Sequence, residues 1–133
     1  MKQSMLLRIA SVLTLVFCAG HTAKALDPNS RGPEEAAVFM AMQSYPFNIM
    51  GFRRTHWDFY RGFSLLFSVT LVLLAVLLWQ LGGLAKSDPV RTRPLIATLF
   101  LGYMAFTVLC GMYFFTAPAA VSAAATICLA LAI

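Results

Sequence analysis

Charge is what this 133-residue chain has least of: Lys and Arg number ten, Asp and Glu five, and no charged side chain follows Arg93. A soluble domain is about a quarter charged and about half apolar. Here the fractions are 11% and 60%, with mean hydropathy +0.79, which excludes an ordinary soluble domain and predicts an integral membrane protein. Cysteine is scarce as well. Cys18, Cys110 and Cys128 lie in apolar runs, odd in number and without CxxC or Cys/His spacing, so they read as small buried hydrophobes rather than as a disulfide or metal framework. No cofactor is implied. The net charge of +5 and pI near 9.5 raise the question of nucleic acid. The positive residues, however, sit beside apolar runs and form no stripe on a soluble surface, so lipid headgroups suit them better and no nucleic-acid partner is expected.

What is present is apolar sequence in four blocks, and the expected fold is an all-α, four-transmembrane-helix bundle in one membrane domain. A span needs roughly 20 residues. The first segment, about 5–26, has two readings. Lys2 and Arg8 before "IASVLTLVFCAG", then Ala23-Lys24-Ala25, have the pattern of a secretory signal with its cleavage site. Alternatively Lys24 snorkels and the helix runs on to Leu26. At helical spacing Ser11, Thr14, Cys18, His21 and Ala25 share one stripe, the small and polar surface by which membrane helices pack. The second segment, about 57–81, is uncharged from Gly62 to Gly83, with Trp57 and Tyr60 at one interface, Trp79 at the other and Gly82-Gly83 expected to close it. Pro94 is expected to open the third, about 94–115, and Pro118 to divide it from the fourth, about 117–133. Ala119, Ser122, Ala123, Thr126 and Ala130 give the fourth a small-residue face.

Residues 27–56 are the one sizeable non-membrane piece. "DPNSRGP" is turn-rich. Pro33, Glu34 and Glu35 suit the start of a short surface helix, which Tyr45-Pro46 ends, and "FNIMGF" reads as an apolar return turning at Gly51. With the N-terminus inside, Lys and Arg divide five against five across the membrane, so their count does not orient the chain. The acid-free start favours an inner N-terminus, hence both termini cytoplasmic.

The words "GHT" (Gly20, His21, Thr22) and "IMGFRRTHWDFYRGFSLLF" carry a resemblance. They are similar to a family of small, uncharacterised bacterial four-helix membrane proteins. In that family a GHT-type motif ends the first helix, and G-x-x-R-[ST]-x-W-D-F-Y-x-G-F opens the second. The matching positions are Gly51, Arg54, Thr55, Trp57, Asp58, Phe59, Tyr60, Gly62 and Phe63, and the similarity runs from about residue 10 onward. It implies a bacterial inner membrane and a retained first helix, since a family motif inside a discarded signal would be odd. It brings no activity to carry over. Arg53 and His56 make this copy more basic than the pattern requires.

The polar residues near the outer interface are the candidate site. His21 at the end of the first helix and Asp58 at the start of the second share a membrane depth, and Arg61 lies one turn from Asp58, where it could be its ion-pair partner. Ionisable groups near a membrane face the bundle and pair. The trio suits a proton relay, a ligand clamp or a structural staple, with no convincing nucleophile or metal beside it. Arg53, Arg54, Trp57 and Tyr60, with Lys24, suit headgroup binding or plain interfacial anchoring. Met40, Met42, Met50, His21 and His56 offer soft Cu(I) ligands, but Met40 and Met42 diverge on a helix and apolar gap-filling suits them better. Asp58, Arg61, Ser64, Ser68 and Ala75 line one side of the second helix, and Tyr103, Thr107 and Cys110 one side of the third. These are either the wall of a narrow lipophile cavity or the contacts of a tight bundle. The absence of a mid-membrane acid counts against a proton-coupled drug exporter. Two function classes follow: a binding or assembly module for a lipid, a lipophile or a partner helix, and an enzyme or proton relay built on His21 and Asp58.

Overall fold

A computed structural model describes residues 2–27, 29 and 31–133. In chain order the elements are α1 (Lys2–Leu26), α2 (Pro33–Ser44), β1 (Pro46–Ile49), β2 (Phe52–Thr55), α3 (His56–Ser87), α4 (Pro89–Tyr113) and α5 (Thr116–Ala130). α1, α3 and α4 are long and apolar enough to cross a membrane. α5 is apolar but has 15 residues, about 22 Å against a hydrocarbon core of about 30 Å. The expected all-α class therefore holds but for one two-stranded antiparallel sheet.

Two boundaries and one loop differ from expectation, each for a local reason. α4 begins at Pro89, not Pro94. Asp88 is its N-cap, its carboxylate accepting the Arg91 N–H at 3.2 Å, and Pro89 sits at the first helical position, where a missing N–H costs nothing. Pro94 lies inside the helix, and the expected loop between the second and third segments shrinks to a single residue, Asp88. Nor do Gly82-Gly83 end α3, which continues to Ser87. Gly82 instead permits a close approach: a Cβ there would stand 3.2 Å from both the Ser4 carbonyl oxygen and Arg8 Cγ on α1. The expected return at "FNIMGF" is a β-hairpin, with Pro46 opposite Thr55 and Ile49 opposite Phe52. Met50 and Gly51 form its two-residue turn, both at positive φ (50° and 86°), the conformation that matches the twist of a tight hairpin.

The chain divides into two compact units, residues 2–19 with Thr70–Ile133, and Gly20–Val69. In the first, Leu7 and Ala10 of α1 belong to one buried cluster with Leu78 of α3, Ile96 and Tyr103 of α4, and Ala125 and Leu129 of α5. Small hydroxyl residues knit the helices. Ser4 donates to the Gly82 carbonyl, Ser11 to that of Ala75 at 2.7 Å, Thr14 meets the Tyr103 hydroxyl at 2.6 Å, and Thr107 meets Thr126 at 2.9 Å. Where water is absent, such groups must find partners on a neighbouring helix or in their own. In the second unit the hairpin's aromatic residues stack. Phe47 packs on His56 and Phe59 at 4.9 and 5.7 Å between ring centroids, Tyr45 on His56 at 6.1 Å, and Phe39 of α2 on Trp57 at 4.9 Å. A two-strand hairpin alone is marginal, and these rings supply apolar support.

Candidate functional site

His21 stands on the small-polar stripe of α1, on which Ser11, Thr14 and Cys18 are buried. Its Nε2 lies 3.0 Å from the Ser64 carbonyl of α3. A carbonyl only accepts, so Nε2 carries the proton and donates it. The ring also meets the edge of Phe67, with centroids 4.9 Å apart at 87°. The next residue does similar work: the Thr22 hydroxyl donates to Ser68 Oγ at 2.8 Å, and Ser68 donates in turn to the Ser64 carbonyl at 3.2 Å. The "GHT" word thus holds the end of α1 against the Ser64–Ser68 turn of α3.

Asp58 is engaged elsewhere. Its carboxylate accepts the Thr55 backbone N–H at 2.8 Å and the Thr55 hydroxyl at 3.0 Å, while Thr55 Oγ1 accepts the Asp58 backbone N–H at 3.2 Å. This is a reciprocal capping box at the N-terminus of α3, with Asp in the position more often held by Glu. It satisfies helix donors that would otherwise be orphaned and sets a negative charge at the positive end of the macrodipole. Arg61 is exposed and, among the described residues, forms no ion pair with Asp58. Among the described residues no hydrogen bond joins any two of His21, Asp58 and Arg61. The signal for the capping box was in the sequence: Thr55-His56-Trp57-Asp58 is a [ST]-x-x-[DE] word directly before an apolar run.

The proposed anchors fall on two elements. Arg53 and Arg54 lie exposed on β2, Arg54 donating to the Arg53 carbonyl at 2.9 Å and standing 5.6 Å from the Phe52 ring centroid. Trp57 and Tyr60 stack in the first turns of α3 at 5.5 Å, Tyr60 exposed and Trp57 half-buried. Lys24 is 3.8 Å from the Asp27 carboxylate. Of the possible soft-metal ligands, Met40 and Met50 are exposed, Met50 almost wholly so at 95%. No group of three or more His, Cys, Asp or Glu is arranged for a metal among the described residues.

Tyr103, Cys110 and Ser122 are buried where the weakly polar stripe of α4 meets its neighbours, and Thr107 is half-buried. The gap lined by Thr14, Phe17, Leu71, Tyr103 and Ser122 measures about 10 Å³, less than a lipophile requires and nearer the room of one water. The stripe is packed, and Thr14 and Thr107 reach across it to their partners. A larger space exists on α1: an open groove of about 890 Å³ lined by Lys2, Ser4, Met5, Arg8, Ile9, Val12, Leu13 and Lys86. Sequence reading missed it because Lys86 comes from the far end of α3.

Compared with protein families, characterised proteins and solved structures, the chain matches none.

Proposed function

We propose that this is a four-helix integral membrane module of a bacterial inner membrane, with both termini cytoplasmic and α5 as the fourth membrane helix. It accommodates a lipid or lipophile, or packs against a partner helix. The observation that carries this reading is how its polar side chains are used. His21 donates to a backbone carbonyl, Asp58 closes a capping box, and Ser4, Ser11, Thr14 and Thr107 bond helix to helix or to a neighbouring hydroxyl. Polar chemistry used in this way supports structure, and away from their ends α1, α3 and α4 leave large apolar side chains open: Val16, Val69, Leu101 and Met112 are all more than half exposed. Side chains of this kind are at home against lipid tails or another helix.

The resemblance of the GHT and WDFY words to bacterial four-helix membrane proteins supports the same architecture. So does α1, whose Leu7 and Ala10 are fully buried, a packing role that suits a retained helix. The test is Asp58→Asn in the purified full chain, with bound lipids and small molecules identified by mass spectrometry. A structural Asp58 predicts lower thermal stability in detergent with the same bound molecules. A variant that keeps its stability but loses its ligand would refute this reading and favour a relay or site built on Asp58.

A further inference from the structure

The unit formed by residues 2–19 and Thr70–Ile133 carries five cations, Lys2, Arg8, Lys86, Arg91 and Arg93, and a single acid, Asp88. Asp88 is already engaged, capping α4 and pairing with Arg91 at 3.4 Å. Three of the cations, Lys2, Arg8 and Lys86, line the groove on α1, and none of them forms an ion pair among the described residues. Arg8 is the most constrained. Its guanidinium lies 4.8 Å from the Trp79 ring centroid, and its Nε is buried without a hydrogen-bond partner. Beyond the cations the wall is apolar: Met5, Ile9 and Val12.

We infer that this groove binds one anionic phospholipid, its phosphate-bearing headgroup between Lys2, Arg8 and Lys86 and one acyl chain along Met5, Ile9 and Val12. Charge complementarity selects the headgroup, since three cations without an ion-pair partner among the described residues line one apolar groove. The apolar wall from Met5 to Val12 rises about 10 Å along the helix, enough for the headgroup-proximal part of an acyl chain in a leaflet of about 15 Å. The volume falls within the range of ligand-sized sites. With both termini cytoplasmic the groove opens to the inner leaflet, where basic pockets between membrane helices take acidic headgroups. The inference rests on the proposed membrane binding module and gives it a ligand class and a place.

The experiment is native mass spectrometry of the full-length protein released from nanodiscs of equal phosphatidylglycerol and phosphatidylcholine, which carry like acyl chains. The wild type is expected to retain one phosphatidylglycerol in preference to phosphatidylcholine. Lys2→Gln and Lys86→Gln, both at exposed positions and therefore compatible with folding, should each lower that preference on the order of fivefold. Arg8→Gln should lower it more, provided circular dichroism shows the helices intact; Arg91→Gln, outside the groove, should not change it. Equal retention of both lipids, or a preference unaltered in Lys2→Gln and Lys86→Gln, would overturn the anionic site while leaving a less selective binding module standing. Retention of no lipid at all would overturn the site and the lipid-binding form of the module, leaving only its packing against a partner helix.

Discussion

Gly82 offers the sharpest test of the packing because its neighbour is its control. Any side chain at Gly82 points at α1: a Cβ would stand 3.2 Å from the Ser4 carbonyl oxygen and from Arg8 Cγ, and 3.5 Å from Leu7 Cβ. Arg8 can swing aside, but the Ser4 oxygen is helix backbone and moves only with α1. At Gly83 an added Cβ meets nothing within 4 Å. Replacing either glycine by alanine gains about 1 kcal/mol of helix propensity. At Gly82 the crowded contact offsets that gain, so Gly82→Ala should lie within about 1 kcal/mol of wild type. Leucine separates the two sites. Gly82→Leu drives a branched side chain into a closed contact, at a cost of about 1–3 kcal/mol for overpacking. It also pulls the Ser4 hydroxyl from the Gly82 carbonyl, a bond worth on average about 0.6 kcal/mol in a membrane protein. Gly83→Leu keeps the propensity gain and places its side chain in open space. The two variants should differ by about 2–4 kcal/mol, roughly thirtyfold to several hundredfold in the folding equilibrium. Reversible unfolding in mixed micelles with increasing sodium dodecyl sulfate, followed by far-ultraviolet circular dichroism, measures this. Equal midpoints for Gly82→Leu and Gly83→Leu would refute the close approach of α1 and α3.

Other side chains make separate claims. Thr55→Ala removes one half of the capping box and should cost about 1 kcal/mol, seen as a lower melting temperature and as faster amide exchange in the first turn of α3. A double-mutant cycle of Thr14→Val and Tyr103→Phe should give a coupling energy of about 0.6 kcal/mol and below about 2 kcal/mol. A coupling of zero would mean that the two hydroxyls, 2.6 Å apart, do not bond. Met50 holds φ 50°, in the left-handed region that costs a residue with a side chain roughly 1–2 kcal/mol. Met50→Gly should therefore tighten the hairpin and Gly51→Ala loosen it, a pair of opposite shifts to be read from proteolysis rates at the turn.

The long apolar helices were legible because a membrane leaves hydropathy little competition. Gly62 to Gly83 reads as a span by inspection, and α3 contains it. The stripe Ser11, Thr14, Cys18, His21 and Ala25 was legible for a related reason: at steps of three and four, small and polar residues in an apolar helix suit a contact face, and the first three are buried. Boundaries were harder. Pro94 looked like a start because proline usually is one, yet Asp88-Pro89 supplies both a cap and a first-turn proline five residues earlier. Gly82 looked like an end because glycine often is one, whereas here its lack of a side chain admits another helix. A single residue type serves both purposes, and only the neighbour across the contact distinguishes them. The return and its turn at Gly51 were legible but the strand pairing was not, since Met50-Gly51 stands where Asn-Gly would have announced a hairpin.

The candidate site changes most under the same physics. Interfacial anchoring does not account for an acid at the mouth of an apolar helix, which makes Asp58 conspicuous in the sequence. Its partners supply the explanation, since Thr55 and Asp58 exchange hydrogen bonds across one turn. His21 is similarly occupied by the Ser64 carbonyl. In a chain with fifteen charged side chains, those not occupied by a structural partner carry more information than those that are conspicuous in sequence. By that criterion the informative side chains lie not in the aromatic, motif-rich opening of α3 but in a plain stretch of α1. There Lys2 and Arg8 are separated by common apolar residues, and Lys86 joins them only through the fold. These cations stand beside an apolar trough without a counter-ion from the chain, and in a bilayer the abundant source of such an anion is the lipid itself.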